Sequence, residues 1–352
     1  MLQPEYNIGI IGCGKIGKDL FDFLCSFPFQ IILICKTDEA VGQVENAFQK
    51  KQKRALKYQL IDQDAFDFRD QNTVITSNLK HLNNCNLVIE TITENSDKKK
   101  KLFKLLEPIL SSDCILTSNT SSIPPGELFT GLANEENCLG LHFFFPVRMK
   151  DIVEVNVAKS TSINTVSFVK NFLKRIGRTS IVLQTKDHFI INRIFLKMQA
   201  GCCQLLQDGK YSIHEIDDLV KKNLFPIGVF EFFDIVGNDV MLQSVKNYMQ
   251  YEMDRAFYQA LIALLEQQVT AGKLGVKSKS GFYEYPLLKS EQLFVEIPEV
   301  LQKITHWYLD GIFDTYEESI CTKDELEHIV KEYMMIEKSP FELADEIGYN
   351  PK

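Results

Sequence analysis

The sequence predicts an α/β domain built on a doubly wound, mostly parallel sheet, followed by an all-α domain that ends in a truncated repeat of its own first helices. Three observations predict it. Up to about Thr185, short apolar runs alternate with amphipathic helical stretches, the pattern of repeated strand–helix units. Beyond Lys186 only helical periodicity remains. Within that half, Asn192-Arg-Ile through Gly201 to Asp217-Asp-Leu-Val-Lys221 is echoed by Gln302-Lys-Ile through Gly311 to Glu327-His-Ile-Val-Lys331. The expected divisions are therefore residues 1–185, 186–286 and 287–352.

At 352 residues, 45% hydrophobic and 24% charged, the chain is long enough for two or three cores of ordinary composition. A net charge of −8 argues against a general binder of nucleic acid or of anionic membranes. Nine cysteines stand singly apart from Cys202-Cys203, without CxxC or Cys/His ligand spacing, so no metal site is expected. No basic start with an apolar export run opens the chain, and no apolar run approaches the length of a membrane span. A reducing cytoplasm is the expected compartment.

Residues 7–11 form an apolar strand running into Gly12-Cys13-Gly14-Lys15-Ile16-Gly17, after which Ile16, Leu20, Phe21, Phe23 and Leu24 give an apolar helix face. This is GxGxxG between a strand and a helix, the setting of a Rossmann-type dinucleotide site. Gly12 permits the tight turn, Gly14 lets the backbone approach a pyrophosphate, and Gly17 lets helix and strand pack closely. The helix N-terminus adds free N–H groups and partial positive charge.

A second strand, residues 30–35, should end in the acid that accepts the ribose hydroxyls. It ends instead in Cys35, followed by Lys36. Without the acid a 2′-phosphate is no longer repelled, and Lys36 could pair with one. The alternative is a weakened NAD site with Lys36 merely solvated. From Ala40 to Gln71 the chain reads as polar and helical. Its cluster of Lys50, Lys51, Lys53, Arg54 and Lys57 is either a solvated face or a steering patch for a polyphosphate.

A strand over residues 86–90 leads through Glu94 and Asn95 into a basic amphipathic helix over 97–110 that includes Lys99. Ile115 to Thr117, Leu139 to Phe145 and Ile152 to Val157 read as buried strands. They carry Ser118-Asn-Thr-Ser-Ser122, His142 and Glu154, polar groups set near strand ends, where ligands bind in open parallel sheets. A buried imidazole beside a carboxylate is the usual way to hold a general base in one tautomer. The alternative is a core histidine satisfied by a chance hydrogen bond, and the surrounding hydroxyls and carboxylate weigh against it. A helix over 163–176, capped by Gly177, and a strand over 179–183 close the first half. Helices over 190–206, 212–222, 230–236 and 240–270 follow, then the second copy at 300–316 and 323–335. Its expected buried positions are Ile304, Trp307, Tyr308, Phe313, Ile329 and Met334.

With these residues in view, residues 7–285 resemble the 3-hydroxyacyl-CoA dehydrogenase family. The likeness rests on the glycine loop, Glu90…Glu94-Asn95…Lys99, Ser118 to Ser122, the His142–Glu154 pair, Phe189-Ile-Ile-Asn192-Arg193, and Leu274-Gly275…Lys277…Gly281-Phe282-Tyr283. The duplicated helical unit is similar to that of the multifunctional fatty-acid oxidation proteins. By position, the resemblance implies that His142 removes the proton of the substrate 3-hydroxyl and Glu154 fixes the ring. It implies that Ser121 and Asn192 bond substrate oxygens, and that Glu94, Lys99 and Lys277 help hold the cofactor, NAD or, given Cys35 and Lys36, NADP. For Glu94 and Lys99 the alternative is a plain helical salt bridge.

Four positions depart from the family pattern: Cys35, Phe145 for an asparagine, Asp187-His188 for Pro-Gly, and Val229 for a proline. The reading expected first is a nicotinamide-dependent L-3-hydroxyacyl-thioester dehydrogenase. Its rivals are a non-catalytic relative that binds nucleotide or thioester, and a dehydrogenase of another hydroxy acid. The half-copy is expected to cover the face through which single-domain members dimerise, placing a monomer ahead of a homodimer.

Overall fold

In the computed structural model the described residues are 4–183, 189–250, 254–287, 296–318 and 321–351. The chain divides into two compact units, Met1–Lys186 and Asp187–Lys352. The expected boundary at Thr185 lies outside the described residues.

The first unit alternates strand and helix: β1 (Asn7–Ile11), α1 (Lys15–Leu24), β2 (Gln30–Ile34), α2 (Asp38–Lys57), α3 (Gln63–Gln71), β3 (Thr73–Thr76), β4 (Leu87–Glu90), α4 (Ser96–Leu106), β5 (Ile115–Ser118), α5 (Pro125–Phe129), β6 (Cys138–Phe143), β7 (Ile152–Asn156), α6 (Ile163–Arg175) and β8 (Thr179–Leu183). The strands form a single sheet in the order β3-β2-β1-β4-β5-β6-β7-β8. Neighbours pair parallel except β6 with β7, which run antiparallel. Strand alternation sends Ile31, Leu33 and Cys35 into the core under α1 and α6, and Ile32 and Ile34 into the core with Phe103 of α4 and Phe129 of α5. With both faces buried, the strands read as continuous apolar runs.

Two details differ from the sequence reading. The run 40–71 is two helices, because Gln59 adopts a left-handed φ of 55° after α2. Thr73–Thr76 is an edge strand, too short and too polar to stand out in the sequence.

The second unit is helical: α7 (Ile190–Gln207), α8 (Ile213–Asn223), α9 (Val229–Val236), α10 (Asn238–Tyr248), α11 (Gln259–Thr270), α12 (Pro298–Glu317), α13 (Lys323–Met334) and α14 (Pro340–Ile347). The run expected as one helix over 240–270 is thus α10 and α11. Helices α12, α13 and α14 span 20, 12 and 8 residues, in the order and nearly the lengths of α7, α8 and α9 at 18, 11 and 8. Capping boxes start α8 (Ser212 with Glu215) and α13 (Thr322 with Glu325).

Helix α12 packs along α7 where two glycines admit it. A Cβ on Gly201 would stand 2.2 Å from the Trp307 ring, and one on Gly311 would stand 2.2 Å from the Ile194 carbonyl oxygen. Lys197 pairs with Asp314 at 3.0 Å beside this crossing. Ile304, Tyr308, Ile329 and Met334 are buried, whereas Trp307 and Phe313 are half-buried. No described helix is long and apolar enough to cross a membrane.

Candidate active site

Strands β1, β4, β5 and β6 run parallel, so the segments leaving their C-terminal ends share one edge of the sheet. The first is the glycine loop. Gly12 takes a φ of 111°, and its N–H donates to Ile34 O at 2.9 Å. A Cβ on Gly17 would lie 2.0 Å from the Gly12 carbonyl oxygen, so only glycine lets α1 sit this close to β1. Gly14 is the opposite case: nothing stands within 4 Å of where its Cβ would be. It precedes α1 with no side-chain cap, leaving the helix N-terminus to a ligand. A backbone cradle with one open glycine fits a dinucleotide pyrophosphate.

Lys15 and Ile16 begin α1. The Lys15 ammonium lies 4.2 Å over the Phe145 ring, joining the glycine loop to the segment after β6. Partial burial lowers the Lys15 pKa, against the opposing charge of Asp19. Asp19 itself accepts from the Val147 N–H at 2.6 Å, a second tie between α1 and that segment.

Cys35 and Lys36 are placed differently from one another. The Cys35 thiol is 1% exposed and turned into the core, and burial pushes its pKa up to about 12. It is a packed neutral thiol, and a side-chain contact from it to a ribose is not what the geometry offers. Lys36 is exposed just beyond β2.

The loop after β5 is held from below. One oxygen of Glu94 accepts from Thr120 Oγ1 at 2.6 Å, Ser121 N at 2.9 Å, Ser122 N at 3.0 Å and Ser122 Oγ at 2.9 Å. Its other oxygen lies 3.4 Å from Lys99 Nζ. Burial works to raise the Glu94 pKa, but the Lys99 charge and these hydrogen bonds outweigh it and hold the carboxyl below its ordinary value. Lys99 is 1% exposed and donates to both oxygens of Glu90 at 2.8 Å, while Ser118 Oγ donates to Glu90 Oε2 at 2.5 Å.

Lys99 is buried and ion-paired with Glu90 and Glu94, and Glu94 precedes α4, so this pairing is not one within a helix. It underpins Glu94 from inside the sheet edge. Sequence reasoning gave Glu90 and Asn119 no role. Glu90 anchors Lys99, and Asn119 Oδ1 accepts from the Phe143 N–H at 2.8 Å, tying the serine loop to β6.

His142 and Glu154 owe their meeting to register. They are directly opposed in the antiparallel ladder of β6 and β7, so their side chains leave the same face of the sheet. His142 Nδ1 lies 2.7 Å from Glu154 Oε2 in a buried setting, and the Phe144 ring stands 4.4 Å from the imidazole, centroid to centroid. A carboxylate on one ring nitrogen selects the tautomer and leaves proton exchange to the other.

The first unit thus brings together the glycine loop, Glu94, Lys99, Ser121, His142 and Glu154. Asn192 and Lys277 belong to the second unit. Asn192 lies in the first turn of α7, and Lys277 is half-exposed, paired with Asp239 beside Gly237.

Two family descriptions match this chain: residues 7–187 match "3-hydroxyacyl-CoA dehydrogenase, NAD binding domain", and residues 189–285 match "3-hydroxyacyl-CoA dehydrogenase, C-terminal domain". A probable 3-hydroxybutyryl-CoA dehydrogenase of Deinococcus radiodurans is 30% identical over 280 residues, covering 79% of this chain and all of that protein. The mitochondrial hydroxyacyl-coenzyme A dehydrogenase of Homo sapiens is 27% identical, covering 79% of this chain and 91% of its own length. Among solved structures, a 3-hydroxybutyryl-CoA dehydrogenase of Escherichia coli aligns with a TM-score of 0.82 at 16% identity, over 99% of this chain and 92% of that one. At that identity the likeness speaks for the fold alone, but its span takes in the helices beyond residue 285.

Proposed function

Because the chain belongs to the 3-hydroxyacyl-CoA dehydrogenase family, we propose that it interconverts an L-3-hydroxyacyl-CoA and the 3-oxoacyl-CoA as an oxidoreductase of fatty-acid metabolism, with His142 and Glu154 as the proton-transfer pair. The 2.7 Å contact between His142 Nδ1 and Glu154 Oε2 carries this reading. With Nδ1 engaged, Nε2 takes the proton of the 3-hydroxyl in oxidation and returns it in reduction. Glu154 steadies the imidazolium formed on the way. A bound nicotinamide dinucleotide supplies the acceptor or donor of hydride.

Ser121 and Asn192 hydrogen-bond the substrate oxygens. Glu94 positions Ser121 through the backbone it grips, and Lys99 acts through Glu94. Gly12, Gly14, Lys15, Ile16 and Gly17 hold the dinucleotide pyrophosphate at the α1 N-terminus, with Lys277 contributing from the second unit. The test is oxidation of reduced cofactor by acetoacetyl-CoA. His142→Gln should lower kcat by about 10²–10⁴-fold, the usual worth of a positioned acid–base group, while the dissociation constant for reduced cofactor stays put. Absence of turnover with acyl-CoA and acyl-carrier thioesters alike, with either cofactor, would refute the reading.

The preferred dinucleotide follows from Cys35 and Lys36. With no carboxylate at the end of β2 and an exposed lysine there, discrimination against NADPH is weaker than an acid at this position would impose. The kcat/KM preference for NADH should fall under about 100-fold, and Lys36→Ala should raise it by roughly tenfold, the loss of one charge-assisted phosphate contact. A larger preference, unmoved by Lys36→Ala, makes Lys36 a surface charge. The nine cysteines are free thiols, in keeping with a reducing compartment such as the cytoplasm.

A further inference from the structure

We infer that Lys15 and Phe145 act together as a clamp on the cofactor diphosphate, the ring holding the ammonium ready at the glycine loop. The inference rests on the dinucleotide part of the reading above and makes Phe145 a positioning residue for that cofactor.

The residues that follow β6 are laid along α1. Lys15, Asp19, Asp22 and Ser26 stand at i, i+4, i+7 and i+11, one stripe of that helix and of the turn after it. The segment meets them in order. The Phe145 ring centre lies 4.2 Å from the Lys15 ammonium. The Val147 N–H donates to Asp19 at 2.6 Å. The Arg148 guanidinium donates to the Asp22 carbonyl oxygen at 2.8 Å and to Ser26 Oγ at 2.9 Å. Phe145 stands three residues after His142, so one stretch carries the proposed base and also fixes the first turn of α1.

Helical side chains lean toward the N-terminus of their helix. Lys15 is the first residue of α1, directly after Gly14, where the loop is open. Its ammonium therefore belongs to the end of the helix that takes the diphosphate. Asp19, the acid one turn on, is engaged by the segment after β6. Ordering a free lysine chain works against binding, and a ring already set against the ammonium reduces that cost. Phe145 is 43% exposed where Val147 is 1% exposed, so the core does not depend on its ring. Removing the ring tests the clamp without opening a cavity.

The experiment measures NADH binding to the full chain by the fluorescence of the reduced nicotinamide. ADP-ribose serves as a competitor that carries the diphosphate without the nicotinamide. Lys15→Ala should weaken both ligands about tenfold and flatten the salt dependence of their binding. Phe145→Leu should weaken both about fivefold, whereas Phe145→Tyr should stay within about twofold of the native chain. In the Lys15→Ala background, Phe145→Leu should change either affinity by less than about twofold, because the ring has no cation left to hold. With acetoacetyl-CoA, Phe145→Leu should raise KM for NADH while kcat stays within about twofold. Phe145→Met repeats the comparison should Phe145→Leu melt early.

Equal losses from Phe145→Leu in the native and Lys15→Ala chains overturn the clamp, as does a Phe145→Tyr chain that binds no better than Phe145→Leu. If no thioester is turned over but the two residues remain coupled in binding, the clamp stands and the catalytic reading falls. If acetoacetyl-CoA is reduced and the coupling is absent, the clamp alone falls. If no nicotinamide dinucleotide binds, both fall.

Discussion

Glu94 carries more of the candidate site than its place in the sequence suggests. One of its oxygens gathers the Thr120 hydroxyl and both serine N–H groups, so the conformation of the Ser121 loop depends on this carboxylate being ionised. Against the pull of burial, its pKa in the folded chain is held below the ordinary glutamate value by the Lys99 charge and these hydrogen bonds. The ionised group therefore stabilises the fold fully above that ordinary value, and the contribution is lost as the pH falls through the folded value. Melting followed from pH 6 downward should show a steeper decline for the native chain than for Glu94→Gln. At pH 7 the variant should be less stable by about 1–3 kcal/mol, the cost of disturbing a buried hydrogen-bonded charge whose partner Lys99 keeps Glu90. Equal acid profiles for the two proteins would show that folding does not shift the titration of Glu94 and would sink this reading. At this scale the glycines, His142, Glu154 and Ser121 were legible because motif and residue type announce them. Glu90 and Asn119 were not, since their parts consist of hydrogen bonds across neighbouring strands.

Helices α7 and α12 meet through Gly201 and Gly311, and the two glycines face different obstacles. A methyl group on Gly201 meets the Trp307 ring, a side chain that can shift, whereas one on Gly311 meets the backbone oxygen of Ile194. Gly311→Ala should cost about 3 kcal/mol or more and Gly201→Ala about 1–2 kcal/mol, with each helix-propensity gain offsetting part of the overpacking. Trp307→Ala should rescue Gly201→Ala and leave Gly311→Ala unrescued, a coupling that denaturant titration of the double variants reads directly. Equal penalties, or rescue of both, would mean that the helices slide apart as rigid rods. The sequence showed that both glycines occupy matching places but could not show what presses on them. Helix ends without glycine or proline were equally hidden. Tyr58-Gln59-Leu60 ends α2, and α10 ends at Tyr248, in each case with no glycine or proline to mark it.

At the scale of the molecule, sheet order, strand direction and the change to helices were readable because period and punctuation change together. The antiparallel turn of β7 was not, yet it is what opposes Glu154 to His142. The packing of α12 along α7 supports a chain that covers its own helical face. Light scattering should then give the mass of one chain, and the melting temperature should be independent of protein concentration. A chain ending near Pro286 should expose Ile194 and Phe195 and self-associate. A full-length dimer matched by an equally stable truncated dimer would remove the half-copy from this role. The crossing of Gly201 and Gly311 also bears on kinetics. Where two subunits trade helices across a shared face, occupancy at one active centre can be felt at the other. If light scattering gives the mass of one chain, there is no second centre to consult. Saturation curves for thioester and cofactor should then be plain hyperbolas with a Hill coefficient of about one.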